Sequence, residues 1–320
     1  MTATAPDYAV EITDLCKTYR PSGGQGAKEA LRHVDLKIPR GSFFGLLGPN
    51  GAGKSTIINI LAGLVIKTSG IAKVWDYDIE AEMRAARRSI GVVPQELNID
   101  PFFTPREMLE VQAGLYGVPK SKRKTDEILE LVGLTDKAKA YARSLSGGMR
   151  RRLLVAKAMV HTPKVLVLDE PTAGVDVDLR RQLWANVREL RNRGTTVILT
   201  THYLEEAEAL CDQVAIINDG QIIVQDTTEH LVMRLDSKEM ALIVDADLDA
   251  VPAALQSFDA TLQGPRKLVL RYSPSKTPSG VLLKAVDDAG LTIIDISTKE
   301  ADLEDIFLRL TKASGYEGAA

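Results

Sequence analysis

A chain of 320 residues, 45% hydrophobic and 26% charged, is long enough for one large domain and a smaller companion, each with its own core. A formal net charge of -3 argues against a chain built as a whole to grip nucleic acid, and no run approaches the roughly 18 consecutive apolar residues of a membrane span. Met1 to Val10 carries Asp7 and lacks the basic stretch and apolar core of a secretion signal, so a cytosolic chain is expected, in which Cys16 and Cys211 read as buried or idle thiols.

From Tyr8 to Tyr19 and from Leu31 to Ile38, apolar and polar residues alternate loosely around the Gly/Pro/Ser-rich stretch Pro21 to Gly26, which predicts two antiparallel strands and a loop. Ser42 to Leu47 is a short apolar strand, followed by a Gly-rich turn and by Ser55 to Leu64, where Ile57, Ile58, Leu61 and Leu64 recur at helical spacing. Asp100 to Tyr141 has helical periodicity and no strand pattern, and reads as a helical insert. Val165 to Leu168 and Val197 to Thr200 are continuous apolar or β-branched runs, the pattern of parallel strands covered on both faces, with a helix predicted between them over Asp178 to Asn192. Val214 to Ile217 and Ile222 to Val224 form a hairpin about Asp219 and Gly220. The order of elements implies a doubly wound α/β core.

Beyond about Asp226 the texture changes. Met240 to Val244, Leu268 to Tyr272 and Leu291 to Ile296 read as strands, and Val251 to Phe258, Val281 to Ala289 and Asp302 to Leu310 as helices, which together predict a separate small α+β unit before a tail from Ala313 to Ala320.

Gly48-Pro-Asn-Gly-Ala-Gly-Lys54-Ser55 fits G-x-x-x-x-G-K-S and lies between a predicted strand and a predicted helix, where a phosphate-cradling loop belongs. The glycines let backbone N–H groups wrap phosphates, and the helix N-terminus adds donors and a favourable dipole. Lys54 is placed to neutralise the β- and γ-phosphates and the Ser55 hydroxyl to ligate Mg²⁺, so the chain is expected to bind and hydrolyse Mg²⁺-ATP. Asp169 and Glu170 end the apolar strand at the carboxyl edge, where ligands bind in open α/β sheets, and successive strand residues point to opposite faces. Asp169 suits the Mg²⁺ shell and Glu170 the general base that activates water. His202 follows the strand Val197 to Thr200 at the same edge and suits contact with the γ-phosphate or the attacking water, whereas His33, His161 and His230 read as surface or packing residues. Leu145-Ser146-Gly147-Gly148-Met149 precedes a helix with Met149, Leu153, Ala156 and Val160 at helical spacing. By itself it is a well-capped helix start with open backbone N–H groups, and Arg150 to Arg152 read as the helix's solvated face.

Gly48 to Thr56, Val93-Pro94-Gln95, Leu145 to Met149, Val165 to Pro171, Ala173 to Asp176 and Thr201-His202 occur in the order and spacing of an ABC transporter nucleotide-binding subunit, which the chain resembles over roughly residues 8 to 225. The resemblance implies a P-loop NTPase core with an antiparallel β subdomain and a helical insert over about residues 100 to 160. It leaves residues 226 to 312 as the small C-terminal α+β domain. It implies that Gly48, Pro49, Asn50, Gly51, Ala52, Gly53, Lys54, Ser55 and Thr56 of one copy hold ATP against Ser146, Gly147 and Gly148 of a second copy. By the same resemblance Tyr19 stacks on adenine, Gln95 joins the Mg²⁺ shell and signals to the membrane partner, and Asp176 couples the two sites. Met149 stands where many relatives have Gln, and Ala173 and Val175 replace the commoner Ser and Leu; none of these removes a phosphate ligand.

The stretches Thr201 to Asp212 and Leu303 to Thr311 look like the exporter branch typified by daunorubicin-resistance ATPases, whose membrane-spanning permease is usually a separate protein. That implies a place on the cytoplasmic face of the cell membrane; the branch commonly carries a C-terminal extension like the one after Asp226, for which the plain reading is a dimer-stabilising cap. The rival is a soluble ABC-type ATPase acting on ribosomes or DNA, but such relatives usually carry two cassettes or a long coiled coil, and this chain has one P-loop, one signature and no long heptad run. A P-loop kinase or GTPase leaves Leu145 to Met149 and His202 unexplained. No nucleic-acid partner is expected, and nothing in these residues selects a transported substrate.

Overall fold

Strands β1 (Tyr8–Tyr19) and β2 (Lys28–Pro39) pair antiparallel, with Val10 opposite Ile38 and Ile12 opposite Leu36. After β3 (Phe43–Leu47) and α1 (Lys54–Leu61), the chain returns as β4 (Ser69–Val74) on the other edge of β1 and adds the two-residue β5 (Tyr77–Asp78), giving the order β2-β1-β4-β5. The structure, a computed structural model, describes residues 5–20, 26–172, 177–201, 203–234, 238–274 and 276–300. Most of the Pro21 to Gly26 loop, the Ala173 to Asp176 motif, His202, the helix expected over Asp302 to Leu310, the Leu303 to Thr311 stretch and the tail from Ala313 lie outside the described residues.

The chain continues through α2 (Met83–Ser89), β6 (Ile90–Val93), α3 (Pro105–Leu115), α4 (Thr125–Leu131), α5 (Gly147–Met159), β7 (Val165–Asp169), α6 (Val177–Asn192), β8 (Thr196–Thr201), α7 (Leu204–Leu210), β9 (Gln213–Asn218) and β10 (Gln221–Thr227). The second sheet has the order β10-β9-β3-β8-β7-β6 and is parallel except for β10 at its edge. Residues Asp219 and Gly220 turn the β9–β10 hairpin with φ 45 and 75, the pair of left-handed conformations that a two-residue turn needs to match the twist of its strands.

Layering follows from the strand pleat. Phe44 and Leu46 of β3 and Val165 and Val167 of β7 face a core shared with Ile57, Ile58, Ile60 and Leu61 of α1 and with the buried face of the antiparallel sheet, including Val10, Ile12, Leu36 and Ile38. On the opposite face the Phe43 ring meets Trp184 of α6 edge-on, with centroids 6.5 Å apart. Helices α3, α4 and α5 hold a separate core built on Leu109, Ile128, Leu129, Leu145, Leu153 and Val160, as expected of an insert with its own stability. The start of α3 is fixed by Thr104, whose hydroxyl accepts from the Glu107 N–H while the Glu107 carboxylate accepts from the Thr104 N–H, with Pro105 at the first helical position.

By its contacts the chain divides between Thr227 and Thr228. The second unit carries α8 (Thr228–Arg234), β11 (Lys238–Val244), β12 (Ala260–Leu262), β13 (Lys267–Tyr272), α9 (Ser279–Asp288) and β14 (Ile293–Glu300), with an antiparallel sheet ordered β12-β13-β11-β14. Met240, Leu242 and Val244 of β11 and Leu268 and Leu270 of β13 turn one face of that sheet to Leu282 and Val286 of α9.

Three expectations are corrected. The helix after the Gly-rich turn ends at Leu61, because Gly63 donates to the Ile60 carbonyl and Leu64 to the Asn59 carbonyl, and Leu64 is 74% exposed instead of completing an apolar face. Val251 to Phe258 is reduced to a six-residue 3₁₀ turn over Ala253–Phe258, stopped by Asp259 at φ 44. Arg151 is buried, 5% exposed, so the arginine run is no uniformly solvated face.

Candidate functional site

The carboxyl ends of β3, β6, β7 and β8 share one edge of the parallel sheet, so the segments leaving them converge. The turn after β3 runs so close to β9 that a Cβ on Gly48 would lie 2.3 Å from the Ile217 carbonyl oxygen, which admits only glycine. Gly53 caps α1 with φ 114 and no side chain caps the helix, leaving its first turn facing the space above the loop. Lys54 is buried at 6% exposure, and its ammonium donates to the carbonyls of Gly48 at 2.6 Å and Pro49 at 3.1 Å. Burial pulls the Lys54 pKa down, while the carboxylates of Glu170 and Asp169 oppose that shift.

The two acids at the end of β7 do different things, as the pleat requires. Asp169 shares a face with Val165 and Val167, and its Oδ1 accepts the Thr200 hydroxyl at 2.6 Å. Glu170 leaves the strand in the left-handed region, φ 44, held there by its N–H, which donates to the carbonyl and to the hydroxyl of Thr200, each at 3.1 Å. Its Oε2 accepts the Gln95 side-chain amide at 3.1 Å. A cavity of about 410 Å³ is walled by Tyr19, Asn50 to Thr56, Gln95 and Glu170, with Lys28 and Ala30 of β2 completing the wall. The Lys17 ammonium sits 4.7 Å over the Tyr19 ring. The atoms that Ser55, Gln95 and Asp169 could turn to a metal are a hydroxyl, an amide and a carboxylate oxygen, the donor set that suits a hard divalent cation.

Residues Ser146, Gly147 and Gly148 open α5 and are not among the residues lining that cavity. The Ser146 hydroxyl accepts from the Met149 N–H at 3.2 Å, and both Ser146 and Gly147 are exposed. Asp176 and His202 lie outside the described residues.

Sequence reasoning passed over three residues that shape the site. Thr200 fixes both acids, and only its place at the end of a strand beside them signalled it. Lys28 adds a cation to the cavity wall from a strand that carried no motif. Arg151 reaches from the helix behind Ser146 to the segment carrying Gln95, donating to the carbonyls of Pro94 at 2.9 Å and Gln95 at 2.8 Å. A guanidinium out of water needs such acceptors, and its burial lowers its pKa.

The family model for "ABC transporter" matches residues 31–173. The chain is 36% identical over 305 residues to the Nod factor export ATP-binding protein I of Rhizobium etli, covering 95% of this chain and 93% of that one. It is 36% identical to a daunorubicin resistance ATP-binding protein of Streptomyces coeruleorubidus, over 95% of this chain and 96% of the other. Among solved structures, a dimeric ATP-binding cassette in a post-hydrolysis state with ADP and Pi superposes with a TM-score of 0.60 at 27% identity, covering 68% of this chain and 98% of that one. With a G-x-x-x-x-G-K-S loop between a strand and a helix, paired acids at the sheet edge and relatives alike over nearly their whole length, the chain belongs to the ABC transporter family as an ATP-binding, ATP-hydrolysing subunit of the exporter branch.

Proposed function

We propose that this subunit hydrolyses Mg²⁺-ATP with Glu170 as general base and drives a separate membrane-spanning permease from the cytoplasmic face of the cell membrane. The observation that carries this reading is the single cavity onto which Tyr19, Lys54, Gln95 and Glu170 open together. In it Tyr19 stacks on the adenine, the backbone from Gly48 to Thr56 wraps the phosphates, and Lys54 turns its ammonium from the loop carbonyls to the β- and γ-phosphates. Ser55, Gln95 and Asp169 would hold Mg²⁺, which when bound neutralises charge on the phosphate oxygens. Glu170, tied to Gln95 and oriented by Thr200, takes a proton from the attacking water, while His202 contacts the γ-phosphate.

Ser146, Gly147 and Gly148 complete the site of a second copy, and Asp176 links the two sites. Moving such a dimer from mostly open to mostly closed needs about 5 kcal/mol of differential affinity, which two triphosphates bridged between copies can supply. In this reading the C-terminal domain, residues 226 to 312, beside a cassette of residues 8 to 225, is a cap that steadies that dimer. The test is to isolate the Glu170→Gln form from its host membranes with ATP present. A multi-span membrane protein in stoichiometric amount is expected; ribosomal proteins or nucleic acid in its place would refute the transport reading.

A further inference from the structure

Helix α7 begins two residues after His202, and two acids stand in its first turn. Glu205 is exposed and already complements the helix dipole. Glu206 is 6% exposed, and the dipole gives no reason to bury it. A buried carboxylate loses several kcal/mol of hydration, and an apolar side chain of the same size generally serves stability as well. What the burial of Glu206 achieves is geometry. Its Oε2 accepts the hydroxyls of Thr172 at 2.8 Å and Thr201 at 3.2 Å, and its Oε1 lies 3.3 Å from the Arg180 guanidinium.

Each of these three partners borders a different part of the proposed catalytic machinery. Thr172 lies two residues after Glu170, Thr201 immediately before His202, and Arg180 four residues after Asp176. The Thr201 hydroxyl that donates to Glu206 also accepts the N–H of Tyr203 at 3.0 Å, so one oxygen holds the chain on both sides of His202. The Arg180 guanidinium in turn lies 5.4 Å over the Tyr203 ring. One buried carboxylate thus ties Thr172 and Arg180, which follow Glu170 by two and ten residues, to Thr201 at the end of β8.

We propose that Glu206 is a positioning residue for ATP hydrolysis, which sets His202 through Thr201 and keeps it in register with the Glu170 segment through Thr172. The proposal rests on the reading of Glu170 and His202 as the groups that act on the γ-phosphate and its water. Glu206 acts through the hydroxyls it holds. The substitution Glu206→Gln replaces one acceptor oxygen by a donor and removes the charge facing Arg180, so the two threonines and the arginine no longer share one anchor.

The experiment measures steady-state Mg²⁺-ATP turnover by the full-length chain for Glu206→Gln, His202→Ala and the double variant. Glu206→Gln is expected to lower kcat about 10- to 100-fold, the scale of a misplaced catalytic group, with KM for ATP within about 2-fold of the parent. The double variant should be no slower than His202→Ala alone. If the two losses multiply, or if KM rises while kcat is kept, Glu206 does not act through His202 and the proposal fails while the catalytic reading stands. If His202→Ala turns over at the parent rate, the reading of His202 fails and the proposal goes with it. Should Glu206→Gln not fold, Thr201→Val and Thr201→Ser decide: the valine variant is expected to lose the same factor and the serine variant, which keeps the hydroxyl, to retain the parent rate. A parental rate for Thr201→Val would overturn the proposal.

Discussion

Two glycine-rich turns lead into helices in this chain, and they are built to opposite ends. At the first, Gly53 caps α1 without a side chain, and the buried Lys54 folds its ammonium onto the Gly48 and Pro49 carbonyls beneath a walled cavity. At the second, Ser146 satisfies the Met149 N–H with its own hydroxyl, Ser146 and Gly147 are exposed, and a Cβ on Gly147 would meet nothing within 4 Å. A glycine-rich helix start is therefore not in itself an anion site. An uncapped first turn, a buried cation and neighbouring carboxylates set the first turn apart. The second has its cap satisfied by Ser146 and no buried cation of its own among the residues that open it.

The largest effect should come from the first turn. Lys54→Ala removes the buried cation, and ATP affinity of the full-length chain, measured by equilibrium titration, is expected to fall roughly 10- to 100-fold, the worth of charge-assisted hydrogen bonds to the phosphates. Unchanged affinity would erase the contrast, because the first turn would then be no more a phosphate site than the second. Ser146→Ala should act differently. Losing the cap costs about 1 kcal/mol of stability. ATP binding by a single copy should stay as it was, while ATP-dependent dimer formation, read by size-exclusion chromatography, weakens. A loss of single-copy binding equal to that of Lys54→Ala would place Ser146 in the wrong half of the site.

The first turn was legible because its meaning is local. Spacing, residue type and the flanking strand and helix all lie within some twenty residues of chain, and Asp169 and Glu170 follow a run of four apolar residues that reads only as a buried strand. The hairpin about Asp219 and Gly220 was equally plain, since two residues decide it. What escaped depends on partners far along the chain. Arg151 sits in a run of three arginines that reads as surface, and only the Pro94 and Gln95 carbonyls, more than fifty residues away, explain its burial. Thr200 and Glu206 are similar cases, ordinary residues until β7 and β8 are laid side by side. β4 and β6 are short, with Gly70, Ala72 and Gly91 interrupting any period, so no strand was expected at either place. The length of α1 was overestimated because Leu64 extends the helical spacing that the Gly63 and Leu64 hydrogen bonds end.

The smallest effect concerns a half-buried base at the end of α5 opposite the second turn, and it contrasts with the buried base of the first. Lys54 has Glu170 and Asp169 to counter the cost of burial. His161, just beyond the C-terminus of α5, is paired with no acid among the described residues: its Nε2 donates to the Ile90 carbonyl at 2.9 Å, its ring stacks on Tyr116 with centroids 3.8 Å apart, and its Nδ1 has no partner among those residues. Burial pulls its pKa below the usual 6.5, and the positive charge of Arg88 pulls the same way against the Ile90 bond. The unfolded chain therefore binds the proton more readily, and stability rises with pH up to about 6.5, above which the ring is neutral in both states. Below that, the contribution is lost as the pH falls toward the depressed folded pKa. His161→Phe keeps the stack and removes the titration. In urea unfolding at pH 7.5 the variant should be the weaker by about 1 kcal/mol for the lost bond to Ile90, and the gap should shrink as the pH is lowered to 5.5. A gap that stays constant or widens on acidification would mean that His161 is charged in the folded protein at pH 5.5, against the direction its burial implies.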